Sequence, residues 1–264
     1  MRDSAKFRES AGQYCETMIE PSPLSWPIRK LLNQFDRYYA AYMLIWNFYG
    51  WREQGGPAPT LSRLKTVSSL SPRQLTSFVN LLKDSGLVSA EPVTGNRRQS
   101  VLRPQPRLVR EIGRSCVAFL AAYDHIHGAA LARLAESSAD RIGRMIWGSA
   151  RHVLEAGTVI APFPTVFAMA GYDGGYPVLT AIMADHYRRL AGRDRIALTY
   201  SALAERFQVS RSHVGNVVTW LHRSGAIEAD RSASAALVDE FERWCVAEMS
   251  HYAALAPSLG EPIR

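Results

Sequence analysis

The polar side chains between Arg73 and Lys83 are of the types that recognise base edges in a DNA groove. Arginine suits guanine, glutamine and asparagine suit adenine, and serine and threonine suit bases or phosphates. A stretch 139 residues further on has a similar composition. The sequence therefore predicts two base-reading helices. Their outward residues are Arg73, Gln74, Thr76, Ser77, Asn80 and Lys83 in the first, and Arg211, Ser212, His213, Asn216, Thr219 and Arg223 in the second.

Both stretches belong to an internal repeat. Residues 60–88 align with residues 199–227 without a gap, and eight of the 29 positions are identical. A match of this kind indicates a repeated structural unit. In each copy a hydroxyl residue precedes both of two predicted helices, where its oxygen can accept an unpaired backbone N–H. The predicted caps are Thr60 and Ser71 in the first copy and Thr199 and Ser210 in the second.

The second helix of each copy has an apolar face that can attach it to a core. Its apolar residues recur at the i, i+3, i+4, i+7 spacing of an amphipathic helix. Gly215, in the middle of the second such helix, lowers helix propensity by about 1 kcal/mol, which suggests that something approaches the backbone closely there. The predicted buried residues are Leu75, Phe78, Val79 and Leu82 in the first copy and Val214, Val217, Val218 and Leu221 in the second.

A β-hairpin is predicted after the first copy. Residues 87–93 and 100–103 have strand character and flank a tip that contains Gly95 and the paired Arg97 and Arg98. After the second copy, residues 228–232 leave little room for a hairpin. Helix, tight turn, second helix and hairpin together form the pattern of a winged helix-turn-helix unit.

Long helices are predicted around both copies. Apolar residues have helical spacing over residues 26–51, 106–137, 140–156 and 235–255, and another helix begins near Tyr176. The predicted fold class is mainly α, with two winged helix-turn-helix units joined by long helices in a pseudo-two-fold repeat and minor β structure in the wing hairpin. The predicted parts are an N-terminal arm at 1–25 that can be flexible, a first half at 26–157 with its unit at about 60–104, a connector at 158–175, and a second half at 176–264 with its helix-turn-helix at about 199–231.

The positive charge is concentrated in the first unit. The chain carries a net charge of +7. Residues 55–110 alone hold nine basic and two acidic side chains, whereas residues 185–231 hold eight and five. A basic patch is typical of proteins that bind a polyanion. Phosphate contacts, which position a protein on DNA without reading its sequence, are predicted for Arg63, Lys65, Arg97, Arg98 and Arg103.

On these features the chain resembles winged-helix bacterial regulators, most closely the MarR type. The resemblance covers residues 60–103 and, more weakly, 199–231. It implies that the second helix of each unit reads the major groove and that the flanking helices form a dimer-like interface. Because this chain holds two copies, it implies a fused pseudo-dimer. The family often has Asp-x-Arg at the wing tip, where this chain has Asn96, Arg97 and Arg98.

The expected function is sequence-specific binding of double-stranded DNA by a transcription regulator, with one chain presenting its two units to unlike half-sites. Two alternatives stay open: a plasmid-type replication initiator with tandem winged helices, and a winged-helix scaffold for protein interaction. Two such chains could pair again. No enzyme activity, cofactor or metal is expected. His125 and His127, two residues apart on a helix, point about 200° from each other.

Aromatic residues crowd residues 26–51 and the connector that follows residue 157. The family resemblance implies a pocket there for a small aromatic effector, and the alternative is a core that joins the two halves. The three cysteines are far apart in sequence, which excludes a disulfide framework. With no signal-peptide pattern and no apolar run of about 20 residues, the expected location is the cytoplasm.

Overall fold

The structure, a computed structural model, describes residues 4–20, 26–93 and 96–259; of residues 26, 27, 93, 96–98, 258 and 259 it describes only the backbone. This part of the chain is mainly helical, with one two-stranded antiparallel sheet. The elements are α1 Ala5–Ile19, α2 Trp26–Leu31, α3 Phe35–Gln54, α4 Leu61–Lys65, α5 Pro72–Asp84, β1 Val88–Val93, β2 Asn96–Pro104, α6 Pro106–His127, α7 Leu131–Glu136, α8 Ala139–Ala156, α9 Pro164–Gly171, α10 Gly175–Leu190, α11 Tyr200–Phe207, α12 Arg211–Arg223, α13 Ala235–Leu255 and a short 3-10 helix, Ala256–Leu259.

Two hydrophobic cores share helix α6. The first core gathers α2 to α5, the hairpin and most of the buried face of α8. The second core gathers α1, α7 and α9 to α13. Leu108 and Ile112, in the first half of α6, lie in the first core, while Phe119 and Leu120 lie in the second. Because one continuous helix contributes to both cores, α6 fixes the two halves of the chain to each other.

The predicted flexible arm at residues 1–25 is wrong for the part that the structure describes. Helix α1 packs against α6 and α10. Phe7, Ala11, Tyr14 and Cys15 are all at most 1% exposed. Their spacing of i, i+4, i+7, i+8 is that of a helix with one apolar face. Residues 1–3 and 21–25 of the predicted arm lie outside the described residues.

Two predicted long helices are each divided in two. The helix expected over residues 26–51 is interrupted at 32–34, where Gln34 has an extended backbone before α3. The helix expected over 106–137 ends at Gly128, which has a φ of 69°. The Asp124 carboxylate then accepts the N–H groups of Leu131 and Ala132 at 3.0 and 2.8 Å and so caps α7. Side-chain bonds thus replace helical backbone bonds at the second break.

The predicted connector at 158–175 contains helix α9. The Glu240 carboxylate of α13 accepts the backbone N–H groups of Thr165 and Val166 at 2.6 and 3.0 Å. These are groups that a helix start leaves unpaired. The helix predicted over 235–255 is confirmed as α13, and those predicted near 140 and 176 begin within a residue of α8 and α10. Over the described residues, no helix is both long and apolar enough to cross a membrane.

Candidate nucleic-acid interface

Local interactions fix the start of helix α5 in the first unit. The Ser71 hydroxyl accepts the N–H of Gln74, while the Gln74 side chain accepts the N–H of Ser71, which is a capping box. The apolar face predicted for α5 is confirmed, with Leu75, Phe78, Val79 and Leu82 buried in the first core. The predicted cap Thr60 at the start of α4 is also confirmed. Helix α5 is therefore held on one side and has the other available for contact.

The opposite face of α5 is polar and exposed. Arg73, Ser77, Asn80 and Lys83 have exposed side chains, and Lys83 Nζ donates to Asn80 Oδ1 at 3.3 Å. Two other predicted base readers have local partners instead. Gln74 is exposed, but its amide oxygen serves the capping box. The Thr76 hydroxyl donates to the Pro72 carbonyl at 2.7 Å. These two bonds would compete with any contact that the same atoms make to a base.

The predicted phosphate contact at Arg63 is not supported by its position. Arg63 Nε donates to Asn47 Oδ1 at 2.8 Å, and its guanidinium lies 5.7 Å from the centre of the Trp46 ring. Asn47 is only 4% exposed. Arg63 thus ties α4 to α3, because a buried amide needs a hydrogen-bond partner.

The other cations of the first unit face solvent. Lys65 and Arg103 are exposed. Arg103 pairs with Glu91 across the hairpin at 3.4 Å and lies over the Phe48 ring at 5.5 Å. Of the seven basic side chains that the structure describes within residues 55–110, Arg63 is the one turned inward. The exposed six are Lys65, Arg73, Lys83, Arg103, Arg107 and Arg110.

The hairpin predicted after the first unit is confirmed. Strands β1 and β2 pair antiparallel, with Val88 opposite Pro104 and an irregularity next to Pro92. The N–H of Leu102 donates to the carbonyl of Pro59, which ties β2 to the segment before α4. Arg97 and Arg98 have their backbone in β2, while their side chains and the tip residues 94–95 lie outside the described residues.

The second unit repeats the helices of the first without its hairpin. Thr199 and Ser210 cap α11 and α12 as predicted, with hydroxyl to N–H distances of 3.1 Å in both. The predicted apolar face of α12 is also confirmed as buried. After Gly225, an isolated antiparallel bridge joins Ile227 and Ala233. The second hairpin is thus reduced to a single bridge, in agreement with its predicted shortness.

Helix α12 also has an exposed polar face, with one exception among the predicted residues. Its exposed members are Arg211, Ser212, Asn216, Thr219 and Arg223. His213 is only partly exposed, because its imidazole Nε2 contacts the backbone carbonyl of Asp173, in the turn between α9 and α10. His213 therefore fixes the start of α12 to the neighbouring turn. Its predicted base contact would require this bond to break.

Gly215 has room for a side chain. A Cβ at this position would lie 3.8 Å from its nearest neighbour, the Tyr200 ring, which is ordinary contact. Packing within the chain therefore does not require glycine at position 215. The remaining explanation for glycine is the close approach of a binding partner to the backbone. Gly215→Ala is expected to raise the free energy of unfolding by about 0.5–1 kcal/mol through helix propensity. Urea denaturation measures this change, and a loss of stability would contradict the view that position 215 has room for a side chain.

The histidine pair noted in the sequence makes separate contacts. His125 Nε2 lies 3.3 Å from the Glu9 carboxylate, and the His127 ring lies 4.2 Å from the Tyr123 ring at a tilt of 33°. Within the described part of the chain, no three His, Cys, Asp or Glu residues are grouped so that they could hold a metal ion.

Comparisons of the chain with protein-family models, with curated proteins and with solved structures find no match. The function is therefore inferred from the side chains and their geometry. The relevant features are two capped helices with exposed polar faces and the exposed basic residues of the first unit.

Proposed function

We propose that the chain is a sequence-specific double-stranded DNA-binding protein that regulates transcription through two helix-turn-helix units. The observation that carries the proposal is the repetition of one arrangement. In both units the second helix is capped by serine, buried along one apolar face and exposed along a polar face that includes arginine. A helix that enters the major groove needs both an anchored face and outward base-reading side chains.

In this proposal the first unit is a winged helix-turn-helix, with α5 as its recognition helix and the β1–β2 hairpin as its wing. The second unit has α12 as its recognition helix and lacks a wing. The two units form a fused pseudo-dimer of the type that the MarR resemblance implies. Each reads its own half-site, and the two half-sites differ because the outward residues of α5 and α12 differ.

The first unit supplies most of the affinity. Its exposed lysines and arginines contact phosphates, which release counterions when they bind and so make affinity depend steeply on salt. The exposed side chains of α5 add base contacts, with Arg73 as the residue best suited to a guanine. Arg73 lies in the first turn of α5 and is exposed.

Arg73→Ala is expected to weaken binding to a cognate duplex by about 2 kcal/mol, or roughly thirtyfold, and to random duplex by much less. The reason is that a bidentate arginine–guanine contact exists only at the cognate site. The cognate duplex is first selected by the purified protein from a random pool. Affinities are then measured by fluorescence anisotropy across a salt series, since phosphate contacts give a steep slope with any sequence.

Arg133→Ala is the matched control, because it removes an exposed arginine of α7, outside both units. This variant is expected to bind both duplexes as the wild-type protein does. Equal losses by Arg73→Ala on cognate and random DNA would contradict base reading by α5. If selection yields no preferred sequence and no duplex binds at low salt, DNA binding is refuted and a protein-interaction scaffold becomes the better explanation.

A further inference from the structure

A cavity of about 220 Å³ lies where the two halves of the chain meet. Its walls come from α1, the α2–α3 junction, α6, α9, α10, α11 and α13. Tyr14, Tyr38, Phe119, Trp244 and Tyr252 give it a largely aromatic lining. The size exceeds the roughly 150 Å³ that accommodates benzene and is below the 300 Å³ at which drug-sized sites begin. The cavity therefore matches one ring with a short chain.

Glu248 is one of two acidic side chains that line this cavity, and it is partly buried. One of its carboxylate oxygens accepts the indole N–H of Trp244 at 3.0 Å. Among the described residues, no cation forms an ion pair with it. The other carboxylate of the lining, Glu111, is paired with Arg29 at 3.3 Å and with Arg114 at 3.4 Å. Glu248 is thus a partly buried acid without a counter-charge, and desolvation in the apolar cavity raises its pKa to about 7.

A ligand that carries a positive charge would supply the counter-charge that Glu248 lacks. Ionising a buried carboxylate is costly unless a cation lies beside it. The faces of tyrosine and tryptophan rings also attract cations, and ammonium ligands are commonly held in aromatic cages. An anion, by contrast, would share the cavity with Glu248, while the two lining arginines already contact Glu111 and backbone carbonyls.

We propose that this cavity binds a small organic cation, an amine attached to a single ring, with Glu248 as its counter-ion. The ligand would touch elements of both halves, because Phe207 of α11 and Gly174 line the cavity together with Asn33. The Asn33 side chain bonds to Asp173, whose backbone carbonyl contacts His213 at the start of α12. Through these contacts the ligand would change the position of α12 and with it the affinity for DNA. This regulatory part of the proposal rests on the proposed DNA binding.

The test compares three probes of similar shape: 2-phenylethylamine, 2-phenylethanol and 3-phenylpropionate. Calorimetry on the wild-type protein without DNA is expected to show the amine binding at least about tenfold more tightly than the other two. Glu248→Gln is expected to remove this preference. Glu155→Gln, which changes an exposed carboxylate of α8, is the matched control and keeps the preference. Ala170→Phe, which fills the cavity from α9, is expected to block all three probes.

Preference for the carboxylate probe, or an amine preference that survives Glu248→Gln, would overturn the cation site. So would unchanged amine binding by Ala170→Phe, if circular dichroism shows that the variant is folded. The amine is also expected to change affinity for the selected duplex by about fivefold or more. Tight amine binding without such a change would overturn the regulatory part. Failure of DNA binding alone would leave the calorimetric result unaffected, so the two proposals fail separately.

Discussion

Gly143→Ala is expected to lower the free energy of unfolding by about 2–3 kcal/mol, because helix α8 crosses α3 at this glycine. A Cβ at position 143 would overlap the Tyr49 ring. The ring has little freedom to move, since Tyr49 is 4% exposed and its hydroxyl donates to Asp140 at 3.1 Å. Overpacking of a core typically costs about 1–3 kcal/mol. Urea denaturation followed by circular dichroism measures the change.

Gly148→Ala is the matched control, because it makes the same substitution in the same helix. A Cβ at position 148 would lie 3.4 Å from its nearest neighbour, a methyl carbon of Leu255. This variant is expected to gain up to about 1 kcal/mol from helix propensity. In a protein that already carries Tyr49→Leu, Gly143→Ala is expected to cost much less stability than it does in the wild-type protein, because the ring that the new Cβ would overlap is gone. If both glycine variants gain stability equally, the close crossing of α3 and α8 is wrong.

Glu248→Gln is expected to remove a loss of stability of about 3 kcal/mol that the wild-type protein undergoes as the pH rises from about 4.5 to 7. The carboxyl has a pKa of about 7 in the folded protein, against a reference value of 4.5. Between these two values the folded state binds the additional proton, so stability falls as pH rises. Each unit of pKa difference corresponds to about 1.4 kcal/mol. Below both pKa values the acid is neutral in both states and the penalty is absent.

The measurement is the difference in unfolding free energy between wild type and variant, taken at several pH values from 4.5 to 8. A difference is needed because His251 acts in the opposite direction. Burial and nearby His152 lower the pKa of His251 to about 4, so acidification below its ordinary pKa of 6.5 also destabilises the fold. Both proteins share this effect, and it cancels. A pH-independent difference would show that Glu248 ionises as freely in the folded protein as in the unfolded one.

Local sequence patterns predicted the secondary structure of the two units well. Ser71 and Ser210 cap the helices expected of them, and the apolar residues of α5 and α12 are buried. Capping and amphipathic spacing involve residues no more than a few positions apart, so a short stretch of chain contains the whole signal. The break after α6 depended on Asp124, whose carboxylate accepts N–H groups seven and eight residues further along the chain.

The roles of several candidate contacts depended on distant residues. Arg63 resembles any basic residue of a short helix, yet Asn47 of α3 binds it. His213 is turned to the carbonyl of Asp173, which is 40 residues away. Polarity alone could not distinguish these two residues from exposed Arg73. A side chain's availability is set by which polar groups the fold brings within hydrogen-bond distance.

The sequence by itself determined the repeat, the capped and amphipathic helices, the first hairpin and the concentration of positive charge at residues 55–110. All of these follow from neighbouring residues or from composition. The tertiary structure alone decided that α1 is part of the second core, that α6 joins both cores, and that Glu248 lies in an aromatic cavity. Burial and the loss of solvent around a charge arise only when segments far apart in the chain pack together, because one short segment cannot exclude water from its own side chains.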